Sequence, residues 1–147
     1  MKPGVDYIGI STVFICHDGA GNFLLHKRSD KCRDEQRRWD FGGGQLRFGE
    51  NLEECVLREV KEEYGVVGKI EKHFPAHSLL RENNGFKTHW LIVNFIVRVD
   101  RKKVKINNPE KMDEIGWFKI NKLPRPLHFG AKFTIKKYKK IIFSYVK

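Results

Sequence analysis

This 147-residue chain is organised around the stretch Gly44 to Val66, GQLRFGENLEECVLREVKEEYGV. Apolar residues recur at helical spacing through its second half, which predicts an amphipathic helix. Asn51 can cap the first turn, and Glu54 stands three residues later in the capping-box position. Gly65 follows the last periodic residue and can adopt the left-handed conformation that ends a helix. The stretch therefore predicts a loop followed by a helix that packs one face on a sheet.

Three glutamates of this predicted helix, Glu59, Glu62 and Glu63, stand at positions i, i+3 and i+4 and so share one face. Like charges at this spacing repel each other by a few tenths of a kcal/mol per pair. A divalent cation would offset that repulsion, and grouped carboxylate oxygens suit Mg²⁺, with Mn²⁺ as a substitute. The alternative is a solvated acidic face, because most charged residues are exposed.

The spacing of the flanking residues favours the metal site. Gly44 is followed after five residues by Glu50, and after seven more by the run Arg58 to Val66, REVKEEYGV. This arrangement resembles the Nudix box, Gly-x5-Glu-x7-Arg-Glu-U-x-Glu-Glu-x-Gly-U, at every fixed position, where U is a bulky aliphatic residue. The resemblance implies an α/β fold of the Nudix type, an α/β/α sandwich with a mixed β-sheet between helices. It also implies a Mg²⁺-dependent hydrolase that cleaves a nucleoside diphosphate linked to another group X.

The same resemblance implies roles for individual residues. Arg58 would orient the glutamates through charge-assisted hydrogen bonds. The general base would be one of the box glutamates or an acid from a distant loop, which Glu114 resembles. The catalytic set would thus combine Arg58 and Glu114 with the box carboxylates. The metal ligands would be one backbone carbonyl and three carboxylates, those of Gly44, Glu59, Glu62 and Glu63.

A basic loop, Arg28 to Arg38, leads into Trp39, Asp40, Phe41 and three glycines. If the box binds a pyrophosphate, the guanidinium groups of this loop are placed to bind its oxygens. The glycines let backbone N–H groups approach a phosphate without a Cβ in the way. A solvated charged loop is the alternative. The residues predicted to bind substrate are Arg28, Arg33, Arg38, Trp39, Phe41 and Gly43, and the rings that could stack on a base are Trp39, Phe86, Trp90, Trp117 and Phe129.

One position departs from the family pattern. The family usually has proline where this chain has Gly42, in Phe41-Gly42-Gly43-Gly44. Glycine frees the backbone and adds an N–H donor. We expect a more mobile loop in an active enzyme.

The chain as a whole predicts one domain, residues 1–147, with ordinary globular composition: 40% of its residues are hydrophobic. No apolar run reaches the ~18 residues that span a membrane, and Met1 to Asp6 lacks the apolar core of a signal peptide. Three cysteines without metal-ligand spacing indicate reduced thiols, so we expect a cytoplasmic protein. A net charge of +11 indicates an anionic partner, which could be a nucleotide, a nucleic acid or an acidic surface.

Patterns outside the box predict the remaining elements. The second of two strands after the box is nearly continuously apolar and is predicted to be central in the sheet. Lysines surround the apolar positions of the last helix, which indicates a solvated face or, as a minority interpretation, a nucleic-acid patch. The predicted strands are 7–16, 23–27, 69–80, 86–99 and 115–118, and the predicted last helix is 131–145.

The identity of the substrate rests on elimination. Markers of the ADP-ribose and dinucleoside polyphosphate groups are missing after the box, where Glu82 stands instead. A MutT-like (d)NTP pyrophosphohydrolase that releases NMP and pyrophosphate is therefore the first choice. A nucleotide-sugar hydrolase of the NDP-sugar or ADP-ribose type, or a dinucleoside polyphosphate hydrolase, is the runner-up. A third alternative, favoured by the basic segments, is an RNA 5′-end pyrophosphohydrolase or RNA binder, and assembly as a homodimer is left open.

Overall fold

The computed structural model describes residues 1–145, apart from the side chain of Asn83. It contains eight strands, two α-helices and a 3₁₀ turn at Arg101–Lys103. No helix in this described part is long and apolar enough to cross a membrane. In chain order the elements are β1 Gly9–His17, β2 Phe23–Arg28, β3 Trp39–Asp40, β4 Gly43–Gln45, α1 Leu52–Tyr64, β5 Lys69–His73, β6 His77–Asn83, β7 Phe86–Arg98, β8 Met112–Phe118 and α2 Phe129–Phe143.

The strands form one mixed sheet with the order β3-β2-β1-β7-β5, to which β4 adds on β1, β6 on β7 and β8 on β2. β1 and β7 run parallel from the pair Gly9 and Trp90 to the pair His17 and Arg98. The other pairings are antiparallel. β7 therefore lies inside the sheet, as its apolar sequence predicted.

A helix covers each face of the sheet. On one face α1 packs Val56, Val60 and Tyr64 into a core with Phe14 and Phe95. On the other face α2 contributes to a second core, which includes Phe41 and Phe74. Each fully buried apolar side chain contributes about 1.5–3 kcal/mol relative to exposure. The α/β/α sandwich is confirmed.

Two predicted boundaries are wrong for local reasons. The predicted strand 69–80 is divided into β5 and β6 at Phe74-Pro75-Ala76, where proline has no N–H to donate to a ladder. The last helix begins at Phe129, earlier than predicted, because the side chain of His128 caps it by accepting a hydrogen bond from the Gly130 N–H at 2.9 Å.

The glycine that replaces the family's proline has a specific conformational role. Gly42 has φ +120°, a value that proline cannot adopt, and a Cβ there would lie 2.3 Å from the ring of Phe14. Its carbonyl accepts a hydrogen bond from the Phe14 N–H at 3.1 Å, and Gly43 and Gly44 pair with β1. Gly42 therefore lets this segment lie close against β1, and the greater mobility expected of the loop stays a prediction.

Candidate active site

The ends of α1 are fixed as the sequence predicted. The side chain of Asn51 accepts a hydrogen bond from the Glu54 N–H at 2.8 Å. Gly65 has φ +68° and its N–H donates to the carbonyl of Lys61 at 2.9 Å. These two caps fix the ends of the helix. Glu59 and Glu63 lie on its face toward the sheet, where both are buried.

Arg58, in the middle of α1, is the centre of an ion-pair network. Its guanidinium donates to both carboxylate oxygens of Glu50, at 2.7 and 3.0 Å. Nη1 donates to Glu59 at 2.6 Å and to Glu62 at 3.3 Å. These hydrogen bonds lower the pKa of Glu50 to about 2 and raise that of Arg58. The network fits the predicted positioning role of Arg58, because one planar group fixes three carboxylates.

Glu63 is the least compensated carboxylate of the site. Its side chain is 3% exposed, and Oε2 is buried without a hydrogen-bond partner. Burial, and then the neighbouring charge of Glu59, raise the pKa of Glu63 well above its usual value. A carboxylate oxygen left this way is destabilising unless a cation or a proton satisfies it.

Gly44 lies directly against the carboxylate of Glu59. A Cβ at this position would lie 2.1 Å from Cδ of Glu59, so the close approach requires glycine. The Gly44 carbonyl accepts hydrogen bonds from the hydroxyls of Ser11 at 3.1 Å and Thr12 at 3.4 Å. The carbonyl is thus held in a fixed orientation beside the buried glutamates.

These residues fit a divalent cation, although the predicted set of ligands is only partly assembled. Among residues 1–145, no three His, Cys, Asp or Glu side chains converge closely enough to hold a metal ion. The reason is that Arg58 holds Glu59 and Glu62, and the half-exposed Glu62 has turned toward it. The unpartnered oxygen of Glu63 and the hard oxygen donors around it nevertheless suit Mg²⁺ or Mn²⁺.

A cavity of about 450 Å³ opens beside this cluster, within the range of about 300–1,000 Å³ that is usual for small-molecule sites. Trp90 lines it, whereas Phe86 and Phe129 line a second cavity and Trp117 packs on the core. Of the residues predicted to form the site, Arg28, Arg33, Gly43, Gly44 and Glu63 line the cavity.

Three residues predicted to bind substrate lie elsewhere. Trp39 and Phe41 belong to the core on the α2 side, so their rings are not available to a ligand in the cavity. The reason is the pleat of the sheet, which turns both rings away from Asp40. Arg38 pairs with Glu35 at 3.0 Å and lines the second cavity. The cavity therefore gives no support to the assignment of these three residues, which stays a prediction.

Glu114, predicted as a candidate general base, lies on the face of the sheet opposite to α1. It pairs with Lys27 in the β2–β8 ladder, while the neighbouring pair is His26 and Ile115. Neighbouring residues of a strand point to opposite faces. Ile115 packs against the core beneath α1, so Glu114 points away from α1 and does not line the cavity.

His26 is a cavity residue that the sequence analysis missed. Its Nδ1 lies 2.7 Å from the hydroxyl of Tyr64, which donates to the carbonyl of Phe41 at 2.8 Å. Because the hydroxyl donates its only proton to Phe41, Nδ1 must carry the proton of the other bond, which leaves Nε2 as an acceptor. Burial lowers the pKa of His26 to about 4, so the ring is neutral at pH 7. The sequence could have indicated this, because His26 stands two residues after Leu24 on the same strand. Residues two apart on a strand share a face, here the face covered by α1.

Asp40 is the second missed residue, and it stands opposite His26 in the β2–β3 pair. Its carboxylate lines the cavity, 3.8 Å from Arg28 and 4.0 Å from His128. Burial raises the pKa of Asp40, but cationic neighbours, among them Arg28, and a backbone hydrogen bond outweigh burial and lower it, so Asp40 is ionised at neutral pH. In the sequence, Asp40 stands between Trp39 and Phe41. Alternation along an extended segment places its side chain on the opposite face of the sheet from those two buried rings. Lys111 adds a cation to the same cavity wall.

Comparisons with known proteins agree with this geometry. The NUDIX domain family matches residues 8–138. A curated protein of Methanocaldococcus jannaschii, "ADP-ribose pyrophosphatase", is 32% identical over 96 residues, which are 65% of this chain and 54% of that protein. The chain therefore spans about half the length of this relative.

Solved structures share the fold at lower identity. A MutT NUDIX hydrolase from Burkholderia pseudomallei superposes with a TM-score of 0.73 and 23% identity, covering 89% of this chain and 98% of the other. A NUDIX hydrolase from Nitrosomonas europaea has a TM-score of 0.70 and 20% identity, with coverage of 90% and 89%. At this identity the likeness shows the sandwich fold alone.

Proposed function

Because the chain belongs to the NUDIX hydrolase family, we propose that it hydrolyses a phosphoanhydride bond of a nucleoside polyphosphate with the help of Mg²⁺. The reaction that we assign is (d)NTP plus water giving NMP and pyrophosphate. One observation carries this proposal. An unpartnered oxygen of Glu63 is buried at the wall of a nucleotide-sized cavity, between the glycine loop and cationic side chains. A carboxylate placed there would repel phosphate unless a cation lay between them.

Bound Mg²⁺ would neutralise charge on the phosphate oxygens and lower the pKa of a bound water. Glu59 and Glu63 are the buried carboxylates that would hold the ion, with Glu62 after it turns from Arg58. The fixed Gly44 carbonyl would supply a further oxygen.

The cavity walls supply the remaining parts of the reaction. Arg28 and Lys111 can neutralise the phosphate oxygens, as phosphoryl transfer requires. Trp90 is the cavity aromatic that can contact a base. Since Glu114 faces away, acceptance of the proton from water falls to an acid of the cavity, Glu63 or the ionised Asp40.

The proposal is tested by measuring release of NMP and pyrophosphate from the (d)NTPs over a titration of Mg²⁺ and of Mn²⁺. We expect turnover that requires the ion and disappears with a chelator. A thermal shift supplies a second readout, because an ion that satisfies the buried glutamates of the native state must raise the melting temperature. A folded protein with no Mg²⁺-dependent turnover and no thermal shift would contradict the proposal.

A second candidate is hydrolysis of ADP-ribose, favoured by the printed name of the relative at 32% identity. Both substrates present a pyrophosphate to the same carboxylates and differ in the group beyond it. Comparing kcat/KM for ADP-ribose with that for each (d)NTP separates the two. A ratio above one for ADP-ribose would replace the first assignment and leave the metal chemistry unchanged.

A further inference from the structure

A second cavity, of about 680 Å³, lies beside the catalytic cavity and shares part of its wall. Arg33, Asp34, Arg81 and Thr88 line both cavities. We call the second cavity the basic groove, because five cationic side chains line it: Lys2, Arg33, Arg38, Arg81 and Lys132. The two cavities are therefore adjacent, and the side chains that line both form their common boundary.

The acidic residues of the groove do not cancel its charge. Asp34 and Glu35 face five cations, which leaves a net charge of +3. Glu35 links three parts of the groove. Its carboxylate, 7% exposed, forms ion pairs with Arg38 and Arg81 and accepts a hydrogen bond from the N–H of Phe129. Within the described residues, neither Lys2 nor Lys132 pairs with a carboxylate at 4 Å or less. These two lysines are available to an anionic ligand.

Two phenylalanine rings are exposed among these cations. Phe86 is 60% exposed and Phe129 is 38% exposed, and the guanidinium of Arg81 lies over the Phe129 ring at 4.5 Å from its centroid. Exposed aromatic rings along a positively charged groove are the features with which proteins bind single-stranded nucleic acids. The rings stack on bases of any identity, and the cations follow the phosphates.

We propose that the basic groove binds the nucleotides that follow the reacting nucleotide in a single-stranded oligonucleotide with a 5′-triphosphate. The inference rests on the proposed function: the first nucleotide and its phosphates occupy the catalytic cavity, and its 3′ oxygen continues toward the groove. Water adds to the α-phosphorus or the β-phosphorus and the bridging P–O bond breaks. The products are pyrophosphate and a 5′-monophosphate strand.

The first test is the dependence of kcat/KM on chain length, measured for ATP and for 5′-triphosphorylated RNA and DNA of two and five nucleotides. Because stacking and phosphate contacts add with each nucleotide, we expect at least a ~10-fold rise from ATP to the five-nucleotide strand. Phe86→Ala and Lys132→Glu should return the strand to the value of ATP and leave ATP hydrolysis unchanged. Gains for RNA alone assign the groove to RNA, and equal gains assign it to single strands in general.

Matched control residues lie on α2 and line neither cavity. Lys139→Glu makes the same charge change on α2, and Phe143→Ala removes another exposed phenylalanine. Neither should alter the preference for the strand. A loss of similar size in these controls would show an effect of net charge or of surface apolarity, which would overturn the assignment to the groove.

Binding of a 5′-monophosphate pentanucleotide, followed by fluorescence anisotropy, separates this inference from the proposed function. Lys132→Glu should weaken binding and reduce the slope of log Kd against log salt by about 1. If no nucleotide is cleaved but binding shows this pattern, the hydrolysis is wrong and the groove stands. If (d)NTPs are cleaved while strands gain nothing and the variants bind as the wild type does, the groove is wrong and the hydrolysis stands.

Discussion

α1 and the loop Arg28 to Arg38 both carry clustered charges near the 450 Å³ cavity, but their charges differ in burial and in pairing. On α1, Glu59 and Glu63 are buried, and a single guanidinium holds the surrounding carboxylates. In the loop, charges of opposite sign mostly pair with each other in water. Asp30 and Arg37 form a pair at 2.7 Å with side chains 61% and 70% exposed.

The difference shows which charged groups affect the free energy of unfolding. Exposed pairs are screened and contribute little, whereas buried carboxylates repel each other strongly and need a partner. On α1, a bound cation would therefore relieve the repulsion between the buried carboxylates. Most charged side chains of the loop are solvated, so replacing them should cost little stability. Substitutions at Glu63, Arg58 and Arg37 measure this contrast, and a fourth, at His26 on β2, tests burial on the opposite wall of the cavity.

The largest effect is expected for Glu63→Gln. It keeps the size of the side chain but removes the charge whose Oε2 is without a partner. We expect kcat to fall at least ~10²-fold, a rise of about 3 kcal/mol or more in the barrier. Glu53→Gln, an exposed glutamate in the first turn of the same helix, is the control and should keep normal turnover. Near-normal turnover of the Glu63 variant would remove Glu63 from the reaction.

The features of α1 that guide this prediction were readable from the sequence because they are local. Asn51 and Gly65 cap the helix within one turn of its ends, and the i, i+3, i+4 spacing fixes which glutamates share a face. The contact of Glu62 with Arg58 was not predictable, because Glu59 and Glu62 accept hydrogen bonds from the same nitrogen, Nη1 of Arg58.

The opposite cavity wall was less predictable because strand pairing decides it. β3 has only two residues, Trp39 and Asp40, too few to show a period of two. Its pairing with β2 places Asp40 beside His26 and buries Trp39. The β2–β8 register likewise decides that Glu114 faces away. A sequence shows that such residues alternate, but the partner strand determines which face meets the ligand.

His26 is expected to give the next largest effect, on stability rather than turnover. Its pKa falls from 6.5 to about 4 in the folded state. Between these values the unfolded chain binds a proton that the native state does not, so stability falls as the pH is lowered from 6.5 to 4. The loss is about 3 kcal/mol at most. Denaturant unfolding of wild type and His26→Asn at pH 6.5 and pH 4 measures this loss. The difference in free energy of unfolding between the two proteins should be smaller at pH 4. A difference that stays constant with pH would contradict a buried neutral imidazole.

Arg58→Leu should have an intermediate effect. It leaves Glu50 and Glu59, whose side chains are 14% and 8% exposed, without their guanidinium. We expect about 2 kcal/mol of destabilisation by urea unfolding, in the range for hydrogen bonds to charged groups. Arg58→Lys keeps the charge but not the planar fork, and should lose about half as much. Equal stability of all three proteins would mean that the carboxylates find other partners.

The smallest effect is expected for Arg37→Ala in the loop. Its pair with Asp30 has good geometry, with two hydrogen bonds at 2.7 and 2.9 Å, but both side chains are mostly exposed. We expect little or no shift of the urea midpoint, an even smaller one in 0.5 M salt, and unchanged hydrolysis of (d)NTPs. Urea unfolding at two salt concentrations measures it. A loss as large as that of Arg58→Leu would remove the contrast between the two regions, because exposure would then no longer decide what an ion pair contributes.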